Sequence, residues 1–202
     1  FNHRDGDRRD YLRGFGMQFW DTGTNPEGAG QFAGRIKGFG TSFKDDVRKR
    51  YPAWVELHPF GEVLSYPDNR ITVDKQKTDR YGVPLLHIDY TIRDNERKMV
   101  EHMADTIEEL AHASGIELFH YKRADLDRNG SAIHEHGTCR MGDDPKKSAL
   151  NRFNQMHEVK NVFVVDGSAF TTASEKNPTI TILAMAWRAT DHLASEMKQG
   201  TL

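Results

Sequence analysis

The chain has 202 residues, of which 37% are hydrophobic and 29% charged, and its formal net charge is −2 at pH 7. This composition is typical of a globular protein with a buried core. The nearly balanced charge gives no basic surface for nucleic acid. Cys139 is the only cysteine, which excludes an intrachain disulfide. We expect a soluble protein, cytoplasmic or periplasmic, with no membrane span in this chain.

The first ninety residues favour strands over helices. Short apolar segments between turn residues predict extended chain at residues 11–20, 31–39, 71–73 and 85–92. A polar turn through Asp79 and Gly82 joins the last two segments. Residues 55–66, with Pro59 and Gly61 in the middle, are predicted to form paired strands around a turn. One charged segment, residues 41–51, is predicted to be helical, and Pro52 ends it.

The longest amphipathic pattern predicts a helix from Asp94, its expected N-cap, to Ser114. Gly115 follows as the expected left-handed residue, and residues 116–121 are predicted to form a strand. The apolar run Val162–Val165 is typical of a buried strand. Residues 178–193 are apolar nearly all round, which predicts the most buried helix of the molecule. The three tryptophans are expected in the core: Trp20, Trp54 and Trp187.

Three short motifs follow one another in the second half of the chain. They are His134-Glu-His-Gly-Thr-Cys-Arg-Met-Gly142, Val164-Val-Asp-Gly-Ser168 and Asn177-Pro-Thr179. A neutral imidazole can accept a hydroxyl proton near neutral pH, and an Asn amide can orient a substrate oxygen without changing charge. Pro178 suits the first turn of a helix, with Asn177 as N-cap. The chemistry suggested is the oxidation of an alcohol.

In order and spacing these motifs resemble the C-terminal signature of the glucose–methanol–choline (GMC) flavoprotein oxidoreductases. The resemblance is most specific over residues 134–193. The Arg-Met-Gly run and the segment around Asn177 resemble the branch that contains pyranose oxidases and glucoside 3-dehydrogenases. An α/β (α+β) fold is implied, with a substrate-domain β-sheet packed by helices and the C-terminal elements of a Rossmann-like FAD-binding domain.

The resemblance implies specific roles for individual residues. His134, three residues before the Gly-Thr pair, corresponds to the catalytic base, and Asn177, nine residues after Ser168, to the second catalytic position. His136 competes with His134 for the role of base, and on a strand the two would point to opposite faces. Cofactor contacts to FAD are implied for five positions: Asp166, Gly167, Asn177, Pro178 and Thr179. No metal ligand is implied.

One family feature is absent from the sequence, because no G-x-G-x-x-G turn for the ADP half of FAD occurs in it. We therefore expect the C-terminal portion of a longer protein, inactive when isolated. Its partners would be the N-terminal FAD-binding portion of the same protein, a sugar or other alcohol, and an electron-acceptor protein. Residues 1–133 would be mostly substrate-binding domain, and residues 134–202 the active-site and C-terminal part of the FAD-binding domain.

The function implied by the resemblance is FAD-dependent oxidation of a CH–OH group, with a dehydrogenase favoured over an oxidase. Two other classes stay open on the residues alone. His134, His136 and Cys139 carry atoms that can ligate zinc, as in a metal-dependent hydrolase. A non-catalytic carbohydrate-binding or subunit-contact domain is the other alternative.

Overall fold

The computed structural model describes residues 10–21, 28–119 and 133–202, and it combines helices with small antiparallel sheets. The strands within these ranges are β1 Phe15–Asp21, β2 Val55–Gly61, β3 Arg70–Thr78 and β4 Pro84–Asp89. The four α-helices are α1 Ala29–Arg35, α2 Gly40–Arg50, α3 Asp94–Ser114 and α4 Thr179–Gln199. Single 3₁₀ turns occur at Tyr51–Ala53 and Gly167–Ala169. A mixed helix and sheet architecture is therefore confirmed.

Strands β1 and β2 form an antiparallel ribbon with two different faces. The turn predicted within residues 55–66 is wrong at Pro59 and Gly61, because β2 continues through both residues and pairs with β1. Phe15 pairs with Gly61 on one face, which packs on α3 beside Met99 and Met103. A Cβ added to Gly61 would lie 2.4 Å from the methyl carbon of Met103, so glycine lets the helix approach closely. Because side chains alternate along a strand, the opposite face of the ribbon remains available for other contacts.

The segment that includes residues 31–39 was predicted to be extended, but the structure forms helix α1 there. Phe32 is 2% exposed and packs against Trp54, with ring centroids 5.2 Å apart. Tyr51 and Phe119 complete this aromatic cluster. One helical turn brings Phe32 into the cluster, so tertiary packing prevails over the weak propensity of a glycine-containing segment.

The hairpin of β3 and β4 agrees with its sequence pattern. Arg70 pairs with Asp89 and Val73 with Leu86. The Asp79 carboxylate accepts hydrogen bonds from the backbone N–H groups of the turn, including that of Val83 at 2.9 Å, and an aspartate side chain is well suited to this type of turn.

Helix α3 spans Asp94 to Ser114 as predicted, and Gly115 adopts the left-handed conformation at φ 65°. Its N-cap differs by one residue, because Arg93 occupies that position and Asp94 is the first helical residue. The Glu96 carboxylate accepts a hydrogen bond from the backbone N–H of Arg93 at 3.2 Å, which stabilises the first turn. Glu96 is only 4% exposed and also accepts bonds from Leu64 and Tyr66.

The prediction that the last helix is the most buried one is wrong for the described residues. Ala189 of α4 is buried, but Ile180, Leu183 and Trp187 are 82%, 63% and 73% exposed. These three residues recur with helical spacing and form one apolar strip. The strip is covered by nothing that the structure describes. The core prediction for the tryptophans holds for Trp54, which is 9% exposed, and fails for Trp187, whereas Trp20 is only half-buried.

Two predicted strands are also absent from the described residues. The run Val162–Val165 forms no ladder, although Phe163 makes an isolated bridge with Gln155, and Val162 and Val165 are each 38% exposed. Residues 116–119 have no regular structure, and 120–121 lie outside the described residues. Hydrogen bonds to a loop replace the expected sheet partners at Val164, whose N–H donates to the Asn154 carbonyl at 2.9 Å.

No helix in the described ranges is long and apolar enough to cross a membrane.

Candidate active site

The first two motifs are joined through their backbones. The N–H of Cys139 donates to the Ser168 carbonyl at 3.0 Å, and the N–H of Met141 donates to the Ala169 carbonyl at 3.0 Å. Ala169 itself is fully buried. These bonds fix the His134 motif against the Asp-Gly-Ser motif, although the two are separated by about two dozen residues in the sequence.

The intervening loop is held by a buried asparagine. Asn154 is 0% exposed, and its side-chain amide donates to the Val164 carbonyl at 2.9 Å. Its Oδ1 accepts a hydrogen bond from Arg188 of α4 at 3.3 Å. Asn154 has a φ of 62°, a conformation that asparagine adopts more readily than most residues. One side chain therefore joins the loop, the apolar run and the last helix.

His134 lies next to the β1–β2 ribbon and has an unusual backbone. Its ring stacks on Phe60 of β2, with centroids 6.1 Å apart and planes 28° apart. Its φ is 72°, in the left-handed region that residues with a side chain rarely adopt. Such conformations persist where the surroundings enforce them, and they concentrate at functional sites. The imidazole is half-buried.

His136 points into a different environment. A Cβ added to Gly167 would lie 2.9 Å from Cδ2 of His136, so the ring lies directly against that glycine. The ring also meets Phe170 edge-on at 4.8 Å. Burial lowers the pKa of His136, nearby His134 lowers it further, and Glu135 opposes the shift. Residues 134–137 are not in a strand, yet the two histidines contact different neighbours.

Asn177 does not occupy the N-cap position that the sequence predicts. Pro178 is the N-cap, and α4 begins at Thr179. Asn177 is exposed, and its Oδ1 accepts a hydrogen bond of 3.4 Å from Nε2 of Gln18 on β1. The Asn177 side chain therefore does not cap α4, so capping does not compete with the predicted catalytic role of Asn177.

One face of the ribbon links the two predicted catalytic positions. Gly16 pairs with Phe60 and Gln18 with His58 across the strands, and directly paired residues share a face. That face contacts His134 through Phe60 and Asn177 through Gln18. A Cβ added to Gly16 would lie 2.8 Å from Cγ of Glu175, so glycine allows the segment before Asn177 to lie close to the strand.

The sequence patterns did not identify Gln18 or Phe60 as part of the site. Both lie far from the motifs in the sequence, and a polar or aromatic residue in a short strand has many possible roles. Their alternation with Phe15 and Met17 places them on the face opposite the core. That alternation is the only signal in the sequence that could have pointed to them.

The residues predicted to contact FAD lie at two backbone features. Asp166 is exposed, and its Oδ1 accepts a hydrogen bond from the Ser168 N–H at 2.8 Å. Among the described residues, no side chain caps the N-terminus of the 21-residue helix α4, and the first turn of α4 contains no acidic residue. The first N–H groups of such a helix can bind an electron-rich group. This donor set fits the pyrimidine edge of a flavin.

The zinc alternative gains no support from the geometry. Among residues 10–21, 28–119 and 133–202, no three His, Cys, Asp or Glu side chains are grouped so that they could hold a metal ion. His134, His136 and Cys139 all fall in the described part of the chain.

Comparison with known proteins gives a consistent result. The chain is 31% identical over 202 residues to the 2-methyl-1,2-propanediol dehydrogenase of Mycolicibacterium austroafricanum, covering 96% of this chain and 35% of the relative. It is 27% identical over 202 residues to the fructose dehydrogenase large subunit of Gluconobacter japonicus, covering 98% and 36%. The paromamine 6'-oxidase of Streptomyces fradiae is 33% identical over 130 residues, covering 64% of this chain and 24% of the oxidase.

The chain thus spans about a third of the length of the first two relatives. Residues 65–186 match the family model of the GMC oxidoreductases, a family that is FAD-dependent in general. This match contains the three motifs and the hairpin of β3 and β4. The chain belongs to the GMC oxidoreductase family.

Proposed function

We propose that this chain is the C-terminal portion of an FAD-dependent oxidoreductase that oxidises a CH–OH group of a sugar or another alcohol. The observation that carries the proposal is the shared ribbon face, which contacts His134 through Phe60 and Asn177 through Gln18. The names of the relatives add support, because they include dehydrogenases and oxidases of alcohols and sugars.

In this proposal His134 accepts the proton of the substrate hydroxyl. A neutral imidazole is suited to that step near neutral pH. The ring stack on Phe60 and the left-handed backbone restrict the orientation of the imidazole, and fixed orientation lowers the entropic cost of the reaction. His136 is the weaker candidate for the base, since its ring packs against Gly167 and Phe170.

Asn177 then orients the substrate oxygen. Gln18 donates to Oδ1 of Asn177, which leaves the amide N–H groups of Asn177 to donate to that oxygen. An amide suits this role because it donates hydrogen bonds without changing its charge.

FAD, when bound, would supply the two-electron acceptor for the hydride, which leaves the carbon that bears the deprotonated hydroxyl. We propose that the exposed carboxylate of Asp166 and the backbone at Gly167 contact its ribityl and pyrophosphate region. The unpaired N–H groups at the start of α4, with Asn177, Pro178 and Thr179, would contact its pyrimidine edge. The uncapped helix end supports this assignment.

We further infer the domain division from these contacts. Residues 1–133 would belong mostly to the substrate-binding domain, and residues 134–202 to the FAD-binding domain with a Rossmann-like fold. The strand partners of Val162–Val165 and the cover of the exposed α4 strip would then come from the N-terminal portion of the same protein. Accordingly, the isolated chain would be inactive.

We favour a dehydrogenase over an oxidase, with an acceptor protein for the electrons. The diol and fructose relatives, which match over nearly all of this chain, are named dehydrogenases. The fructose relative is named as a large subunit, which supports a multi-subunit arrangement.

The His134→Gln variant of the full-length protein tests the proposal. Loss of the base is expected to slow flavin reduction by substrate at least 10²-fold, while bound flavin, read from the visible absorbance of the purified protein, stays at the wild-type level. Anaerobic stopped-flow absorbance gives the reduction rate.

The matched control is His112→Gln, an exposed histidine on α3, and its flavin should be reduced at the wild-type rate. Wild-type reduction by the His134 variant would contradict the assignment of the base. Loss of flavin from that variant alone would instead assign His134 a role in cofactor binding.

A further inference from the structure

The site face of the β1–β2 ribbon continues beyond Gln18 into an aromatic and charged cluster. The indole of Trp20 stacks on the imidazole of His58, with centroids 4.3 Å apart and planes 21° apart. Nε2 of His58 lies 2.8 Å from the Glu56 carboxylate. Arg35 of α1 pairs with the same carboxylate at 3.1 Å. Trp20, His58, Glu56 and Arg35 are named the ribbon cluster below.

The ribbon cluster lies beside the proposed catalytic positions. His58 is the cross-strand partner of Gln18, and Gln18 is the residue that hydrogen-bonds to Asn177. Directly paired Cβ atoms are roughly 5 Å apart, which is about the width of one sugar ring. Trp20 is two residues further along β1, roughly 7 Å from Gln18. A substrate held by Asn177 would therefore extend over the cluster.

The polar groups of the ribbon cluster are fixed rather than free to turn. The Glu56 side chain is 14% exposed and held between Arg35 and His58. In the neutral tautomer whose Nε2 carries the hydrogen, His58 donates that hydrogen to the Glu56 carboxylate. In the neutral tautomer Nδ1 is then an acceptor for a hydroxyl hydrogen. The His58 side chain is 35% exposed, so a ligand can reach it.

We propose that the ribbon cluster binds the part of the substrate remote from the oxidised carbon, and that it selects a sugar ring over a small alcohol. Trp20 is half-buried, and the indole face that His58 does not cover would offer a flat apolar surface for the C–H face of the ring. His58 accepts from a ring hydroxyl, and Glu56 with Arg35 fixes the position of His58. A diol of three or four carbons is too short to reach both Asn177 and Trp20. The inference rests on the proposed function and extends it to the substrate class.

The test uses the full-length protein with bound FAD and the variant Trp20→Leu. The probes are D-glucose, D-fructose, D-galactose and D-xylose, with 2-methyl-1,2-propanediol as the small alcohol. Anaerobic flavin reduction gives a half-saturating concentration and a limiting rate for each probe. At least one sugar should half-saturate the wild type at a concentration tenfold or more below that of the diol. Trp20→Leu should raise that value at least tenfold while lowering the limiting rate less than threefold.

Phe19→Leu is the matched control, because Phe19 neighbours Trp20 on the same strand, points to the opposite face and is 58% exposed. It should leave both parameters within twofold of the wild type. Trp20→Phe, which keeps a stacking ring, should restore most of the sugar affinity.

Three results would overturn the inference. They are a wild type that is reduced by the diol but by no sugar, a Trp20→Leu variant with unchanged sugar saturation, and a Phe19→Leu variant that matches Trp20→Leu. A wild-type protein that binds flavin but is reduced by none of the probes contradicts the proposed function itself. These outcomes distinguish an error in the proposed function from an error in the role proposed for the ribbon cluster.

Discussion

At the scale of single residues, the two histidines of one motif have different surroundings. His134 contacts the ribbon through Phe60, whereas His136 lies against Gly167 and has an Nδ1 atom that is buried without a hydrogen-bond partner among the described residues. A buried, unpartnered imidazole nitrogen is costly, and protonating it costs more. The folded protein therefore favours the neutral form of His136.

The burial of His136 predicts that this residue makes the free energy of unfolding depend on pH. Its pKa in the folded state is below the ordinary value of 6.5, chiefly because of burial. Between the lowered pKa of the folded state and the ordinary pKa of the unfolded state, the unfolded chain binds more protons than the folded one. The contribution of His136 to the free energy of unfolding is therefore fully present above about pH 6.5 and is lost as the pH falls through the lowered pKa. In His136→Gln this contribution should disappear.

Urea unfolding of the full-length protein at pH 7.5 and at pH 5.5 measures the effect. The wild type should lose more stability on acidification than His136→Gln, and His112→Gln, at an exposed position, should behave as the wild type. An equal loss in the wild type and in His136→Gln would show that other groups cause the acid sensitivity.

At the scale of elements, the site depends on loops that are fixed by a few buried polar contacts. Asn154 joins the loop, Val164 and Arg188 of α4. Removing its side chain takes one hydrogen-bond partner from the half-buried Val164 carbonyl and one from the exposed Arg188 guanidinium, and alanine tolerates the left-handed backbone less well. We expect Asn154→Ala to lower the free energy of unfolding by about 3 kcal/mol.

Urea unfolding followed by tryptophan fluorescence checks this value. Asn161→Ala is the control, because Asn161 is an exposed residue of the same loop, and it should change stability by less than about 0.5 kcal/mol. Equal effects of the two substitutions would contradict the anchoring role of Asn154.

The same scale explains which elements could be predicted from the sequence. The limits of α3 and the hairpin of β3 and β4 follow from local signals, namely an apolar stripe, Gly115 and a turn with Asp79. Helix α1 could not be predicted, because the reason for it is the distant packing of Phe32 against Trp54. The first and last residues of a helix or strand can be predicted from the neighbouring sequence only where that sequence strongly prefers one conformation.

The same distinction holds for the site. The order and spacing of the motifs point to His134 and Asn177 as candidates, but not to the residues that contact them. Gln18 and Phe60 reach the site through the pairing of β1 with β2, and strand register over such a separation is not readable from either segment alone.

At the scale of the whole molecule, the exposed surfaces and the length of the relatives support one proposal. The chain spans about a third of two relatives, and Ile180, Leu183 and Trp187 leave an apolar strip on α4 that the described residues do not cover. A strip of this kind is a typical contact surface. A longer protein that covers it and completes the flavin site accounts for both observations.

The most direct test of the whole account is the visible absorption spectrum of the full-length protein, purified without added cofactor, before and after anaerobic addition of the sugar panel and the diol. We predict flavin bands in the purified protein that bleach with at least one of these substrates. A colourless protein with its upstream sequence intact would contradict the oxidoreductase proposal and favour a non-catalytic carbohydrate-binding or subunit-contact domain.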